Sequence, residues 1–171
     1  MTDGRALEIA KQLKAKLPYS IVVIMPEKYN ELYERIRNLN KLLAWGHARA
    51  IENLLEKVEC GQVISDKFAD VRVLEKALMR KGRSVHLIQQ VRGESEMPVA
   101  AASVLARAEF LESVLRMGRK WKTTFPKGAS ALVDEAGRKF VETWGENDLD
   151  SVAKIHFKNT RKIRELLTRL L

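Results

Sequence analysis

The chain has a single cysteine, Cys60, among its 171 residues, which leaves no basis for an internal disulfide framework and suits a reducing compartment. It has no apolar run approaching the roughly 20 residues of a membrane span, so none of these residues is expected to enter a bilayer. The opening stretch, Met1 to Leu17, is charged throughout and lacks the apolar centre of a signal peptide. Together these absences lead to the expectation of a cytoplasmic protein. A glycine loop of the phosphate-cradling kind is missing, as are a nucleophile elbow and any metal signature built on cysteine and histidine. Acidic residues are also in deficit, 22 against 31 lysines and arginines, for a net charge of +9. That balance makes a polyanionic partner plausible through phosphate neutralisation and counterion release.

What is present reads as one α/β domain over residues 1–171, a length able to bury a sizeable core. Leu7, Ala10, Leu13 and Leu17 recur at helical spacing, and Pro18 ends that helix. Tyr19 to Met25 (YSIVVIM) is β-branched and nearly all apolar, the composition of a strand covered on both faces. A long helix is expected over 30–58, with its stripe on Leu32, Ile36, Leu39, Leu43, Ala50, Leu54 and Val58, a possible bend at Gly46 and an end near Gly61. Val63-Ile64 forms a second strand ending in Asp66. Asp70 caps a helix from Val71 to Met79, and Ser84 to Val91 is a third strand. Helices follow over 98–117, where Ala100 to Ser103 offer a small-residue face, over 130–144 behind Ser130, and in the final stretch 151–171. Ile163, Leu166, Leu167 and Leu170 form the core stripe of that last stretch. Strand–helix–strand order favours parallel pairing with right-handed crossovers. Three strands make a thin sheet for so many apolar helices.

Asp66 is the centre of the functional reading. Asp70 is the better cap for the helix that follows, so Asp66 has no evident structural task at the carboxyl end of its strand, where open α/β folds place their sites. Glu94 lies just past the end of the next strand, and Glu96 is two residues on. Taken singly, both glutamates suit the positive end of the following helix dipole. Beside Asp66 they would repel one another unless a hard cation lay between them, for which Mg²⁺ or Mn²⁺ are the fitting ions. His47 falls on the stripe of the long helix and His86 alternates within a strand, so both read as structural. His156, beside Phe157 and Lys158, is a lone imidazole without visible partners. Basic residues gather in two places: Lys120, Lys122 and Lys127 with Trp121 and Phe125, and Lys154, Lys158, Arg161 and Lys162. Lys122, Lys127, Lys154 and Lys158 are the candidate phosphate contacts.

Seven segments taken in order, PEKYNELY (26–33), NLNKLLAWGHARAIENLL (38–55), ISDKFA (64–69), VAAASVLARAEFL (99–111), FPKGAS (125–130), VDEAG (133–137) and AKIHFKNT (153–160), together resemble ribonuclease HIII, a branch of the type 2 ribonucleases H. WGHARAIE, PKGAS and HFKNT favour this branch over ribonuclease HII. The resemblance implies an RNase H-like fold, a central mixed sheet flanked by helices. It also implies endonucleolytic cleavage of the RNA in RNA/DNA hybrids, with four carboxylates and divalent ions. On that resemblance Asp66 matches the third carboxylate and Glu94 the fourth, with Glu96 open by one residue of alignment.

The family's first two carboxylates belong to a D-E-x-G motif on the first strand, followed by D-S-K; D-S-K is absent here, and the one D-E-x-G string, Asp134 to Gly137, falls within the helix expected over 130–144 and not on a first strand. The expectation is a fragment lacking the first strands and the N-terminal substrate-binding domain, with weak or no activity alone. The missing half would then be a possible partner in trans.

Overall fold

A computed structural model describes residues 1–168. Its elements are α1 (Asp3–Lys16), α2 (Pro26–Ile36), α3 (Leu39–Leu55), β1 (Gln62–Asp66), α4 (Val71–Ala77), β2 (His86–Gln90), α5 (Met97–Lys120), α6 (Ala131–Trp144) and α7 (Lys158–Thr168). They form two compact units, one of residues 1–23 and 36–111, the other of 24–35 and 112 onward.

In the first unit, β1 and β2 pair in parallel with Gln62 opposite His86 and Asp66 opposite Gln90. Their crossover contains α4, which Asp70 caps as expected by accepting a hydrogen bond from the Arg72 amide. Ala44, Ala48, Leu74 and Leu78 are buried together, with Phe68 and Leu87 against them. The buried face of α3 is therefore Leu42, Ala44, Ala48 and Glu52, whereas the expected stripe residues Leu39 and Leu43 are exposed. The side chains that define the close face are alanines, whose small size lets α3 and α4 approach. A second cluster joins Ala10 of α1 to Leu105 and Ala108 of α5, with Tyr19 and Ile21 alongside. Ala108 thus supplies the small contact expected of the Ala100–Ser103 turn, where Ala102 and Ser103 are exposed.

Two expectations fail for non-local reasons. Tyr19 to Met25 is not a strand. β-branched composition suits a pleated, half-buried surface, but a strand exists only when another segment accepts its ladder. Among the described residues none does, and Val23 and Met25 remain exposed. The long helix over 30–58 is instead α2 and α3, broken at Arg37, whose φ of 47° is left-handed. Asn38 then caps α3 by accepting the Lys41 amide, and Pro26 opens α2 at the position where its missing N–H costs nothing. Gly46 lies within uninterrupted helix, and α3 ends at Leu55, six residues before Gly61.

Glu52 is 8% exposed and accepts the amides of Lys81 and Gly82, fixing the turn that leads to β2. The Lys81 amide is the main cause holding its pKa below the ordinary 4.5, with the Gly82 amide acting in the same direction. A depressed carboxyl pKa contributes stability that is present above the unfolded value and is lost as pH falls through the folded one. The melting temperature of the wild-type chain is therefore expected to drop as pH goes below about 4.5, relative to its value at pH 7. Glu52→Gln, measured by the same thermal scans, should melt lower at pH 7 and show a flatter acid limb.

In the second unit Phe140, Leu149 and Ile163 form the core, with Trp121, Phe125 and Val152 packed around them. Ile163 is the one member of the expected terminal stripe whose burial is described; Leu166, Leu167 and Leu170 lie outside the described side chains. Of the expected final helical stretch 151–171, residues 158–168 form α7, whereas 152–157 run as turns between α7 and the 3-10 turn Glu146–Ser151, and 169–171 lie outside the described residues. Gly137 of α6 has no Cβ where one would run into Ile163 Cδ1, so α6 and α7 pack closely at that point. Ser130 stands at the cap of α6 without a side-chain hydrogen bond. Asn30 of α2 donates to the carbonyls of Asp150 and Ala153 and accepts from the Ile155 amide, three bonds that fix the segment leading into α7.

Candidate active site

The parallel pair ends at Asp66 and Gln90, and one more bond, from the Lys67 amide to the Gln90 carbonyl, extends the ladder past it. The chain leaves β2 through Val91 and Arg92, whose φ of 58° is left-handed, into a 3-10 turn over Gly93–Ser95. That geometry turns the Gly93 amide toward β1, and it donates to Asp66 Oδ1 at 2.9 Å. Gly93 is buried, and a Cβ there would lie 3.0 Å from the Asp66 Cα. Only glycine allows this approach. Asp66, though exposed, therefore does have a structural bond, one that sequence alone does not reveal.

Glu94 follows Gly93 directly and is exposed. The sheet end thus brings the backbone of the Glu94 turn onto Asp66. Glu96 is half-buried and accepts from the Gln90 side-chain amide at 3.3 Å, so it is drawn back to β2. Among the described residues no three histidine, cysteine or acidic side chains gather to hold a metal ion. Asp66 and Glu94 are at most a partial ligand set.

His47 departs from its reading as a core histidine. It is exposed, its ring lies 4.7 Å from that of Phe68, and Asp66 is close enough to act on its charge. Loss of water around the ring lowers its pKa, and the Asp66 carboxylate opposes that shift. The helical register of α3 held the signal: His47 is adjacent to Ala48 on the close-packed face, not on it. His86 is likewise exposed, at the start of β2.

The four candidate lysines all belong to the second unit. Lys122, exposed and left-handed at φ 47°, sits where the chain turns back on the end of α5. At that turn Thr123 donates its amide to the Gly118 carbonyl, and a Cβ on Gly118 would come within 2.7 Å of the Thr123 carbonyl oxygen. Trp121 packs beneath, edge-on to Phe140 and Trp144. Lys127 is exposed in the following loop. Lys154 lays its ammonium over the Tyr29 ring at 4.4 Å, and loss of water there lowers its pKa. Lys158 is the exposed first residue of α7. Of the neighbouring cations, Lys162 is paired with Asp134 and Arg161 lies 3.9 Å from Glu165.

A family model described as Ribonuclease HII matches residues 1–160. The chain belongs to the ribonuclease HII family. Within it, the similarity is to proteins named ribonuclease HIII. The one from Protochlamydia amoebophila is 43% identical over 158 residues, 92% of this chain and 52% of that protein. The one from Chlamydia abortus is 42% identical over 166 residues, 95% of this chain and 55% of the relative. A solved structure of Bst-RNase HIII in complex with Mn²⁺ superposes with a TM-score of 0.88 at 31% identity, covering 99% of this chain and 57% of that one. The α/β RNase H-like fold is therefore that of this family member, with two strands paired in parallel among the described residues. The chain spans about half the length of the curated relatives it matches. Among the described residues no helix is long and apolar enough to cross a membrane.

Proposed function

We propose that this chain contributes Asp66 and Glu94 to the metal centre of an endonuclease that cleaves the RNA strand of RNA/DNA hybrids. The observation that carries the reading is the clasp between Gly93 and Asp66. It uses one oxygen of the carboxylate as acceptor and orients the other, beside a turn that presents Glu94. Hard carboxylate oxygens fit Mg²⁺ or Mn²⁺, and the solved relative was crystallised with Mn²⁺. Such ions, when bound, activate water and neutralise charge on a phosphate. Two carboxylates do not complete a two-metal site. In this reading an Asp-Glu pair of the family's D-E-x-G kind on a first strand completes the site. The single exposed Cys60 suits the reducing cytoplasm as the working compartment.

Lys122, Lys127, Lys154 and Lys158 contact backbone phosphates in this reading, giving affinity without base preference. Lys154 and Lys158 are the pair to test, since they lie four residues apart at the entry to α7 and no carboxylate pairs with either among the described residues. Replacing both with glutamine should weaken hybrid binding and lower the slope of log affinity against log salt by about two, measured by fluorescence anisotropy across a salt series.

The decisive experiment combines this chain with the part of the Protochlamydia ribonuclease HIII that it does not match, and assays hybrid cleavage in Mn²⁺. Cleavage by the mixture, and little by either part, supports the proposal. Salt-sensitive hybrid binding with no cleavage in any combination would favour a second reading, a binding protein without catalysis, for which the net charge of +9 speaks.

A further inference from the structure

The geometry points to a stacking platform for an unpaired nucleobase, built by His156 and Phe157 and flanked by Lys154 and Lys158. This rests on the reading of those two lysines as phosphate contacts and adds a ligand class to it: a single-stranded nucleotide beside the duplex.

The platform is rigid before any ligand arrives. Tyr29 and Tyr33, one turn apart on α2, stack with ring centroids 6.0 Å apart. His156 lies nearly parallel to Tyr33 at 3.8 Å and to Tyr29 at 5.5 Å. Phe157 continues the series, 4.2 Å from His156 and inclined by 45°. The turn that presents them is latched on both sides. Upstream, Asn30 holds Asp150, Ala153 and Ile155. Downstream, the Lys154 carbonyl accepts from both the Phe157 amide and the hydroxyl of Thr160, a residue only 2% exposed.

Such an arrangement can bury every ring, yet it does not. Tyr29 is 3% exposed, whereas Phe157 is 43% exposed and His156 is also open. An aromatic ring on a latched turn that stays half in water forgoes much of its burial energy, and folding of the segment does not depend on it. The segment that carries it is basic: the ten residues from Ala153 to Lys162 contain four lysines and arginines and no acid, and of these Lys154 and Lys158 have no carboxylate paired with them among the described residues. Lys154 lies over Phe157 as well as Tyr29, at 5.9 Å. An exposed π face bordered by cations is the chemistry that receives a nucleobase with its phosphate. A base inside a duplex has both faces covered by its neighbours. The ligand is therefore a terminal or overhanging nucleotide.

The test is anisotropy with the whole chain, comparing a blunt RNA/DNA hybrid with the same hybrid carrying a four-nucleotide single-stranded overhang. Wild type should prefer the overhang. Phe157→Leu should lose about five- to a hundredfold on the overhang substrate, keep its affinity for the blunt one and keep its salt slope, while Phe157→Trp retains the preference. Equal affinity of wild type and Phe157→Leu for the overhang overturns the platform, as does an equal loss on both substrates with a lowered melting temperature. If instead Phe157→Leu behaves as expected but the double Lys154→Gln, Lys158→Gln variant keeps the wild-type salt slope, the phosphate reading fails and the platform stands. No binding by wild type overturns both.

Discussion

Asp66→Asn is expected to remove Mn²⁺-dependent hybrid cleavage from the combined enzyme, by about a hundredfold or more, while the melting temperature of the chain moves by no more than about 1 °C. The reason lies in what asparagine keeps and what it loses. Its side-chain oxygen still accepts from the Gly93 amide, the bond Asp66 makes at 2.9 Å, so the turn after β2 stays closed on β1. The negative charge is gone, and with it the attraction for a divalent ion. Glu94→Gln should behave alike, and Glu96→Gln should cost far less, because Glu96 is engaged with Gln90. Single-turnover cleavage assays with thermal scans of the same preparations check all three. Equal losses at Glu94 and Glu96, or full activity in Asp66→Asn, would remove the basis for a metal centre at this sheet end.

Gly93→Ala should produce the larger combined effect, on structure and on cleavage together. The added methyl would meet the Asp66 Cα at 3.0 Å and its amide nitrogen at 3.2 Å, and neither is a flexible side-chain tip. Backbone has to shift, at a cost of about 1–3 kcal/mol for overpacking. A chain of this size responds to each kcal/mol with about 2–4 °C of melting temperature. The shift also separates the Gly93 amide from Asp66 Oδ1, and a displacement near 1 Å in a reacting constellation is enough for about a hundredfold loss in rate. Melting temperature and cleavage should therefore fall together in Gly93→Ala, while only cleavage falls in Asp66→Asn. A Gly93→Ala chain with wild-type stability would show that the turn adapts and that the clasp does not position Asp66.

The contrast between these two variants also marks how far the site was legible in residues alone. An apolar run ending in Asp66, with Asp70 as the better helix cap, singles out the carboxylate, and the ordered segments tie it to a family. The bond from Gly93 depends on the left-handed Arg92 and on the register of β1 against β2. Neither has a local signature. Glu94 and Glu96 stay equivalent in sequence until the Gln90 side chain, six residues upstream of Glu96, bonds to one of them. By hydropathy His47 falls on a core stripe because leucines dominate the pattern, but alanines define the close face of α3.

By itself the sequence determined the elements with strong local instructions. Asp70 and Asn38 supply caps and Pro26 a helix start, all through interactions within a few residues. It also determined the basic character of the chain and the family to which it belongs. Tertiary structure alone decided whether YSIVVIM finds a ladder, which face of α3 meets α4, and that both rings of the HFKNT stretch stay partly in water. Those outcomes depend on partners many residues distant, and periodicity along a chain carries no information about what will lie across from it.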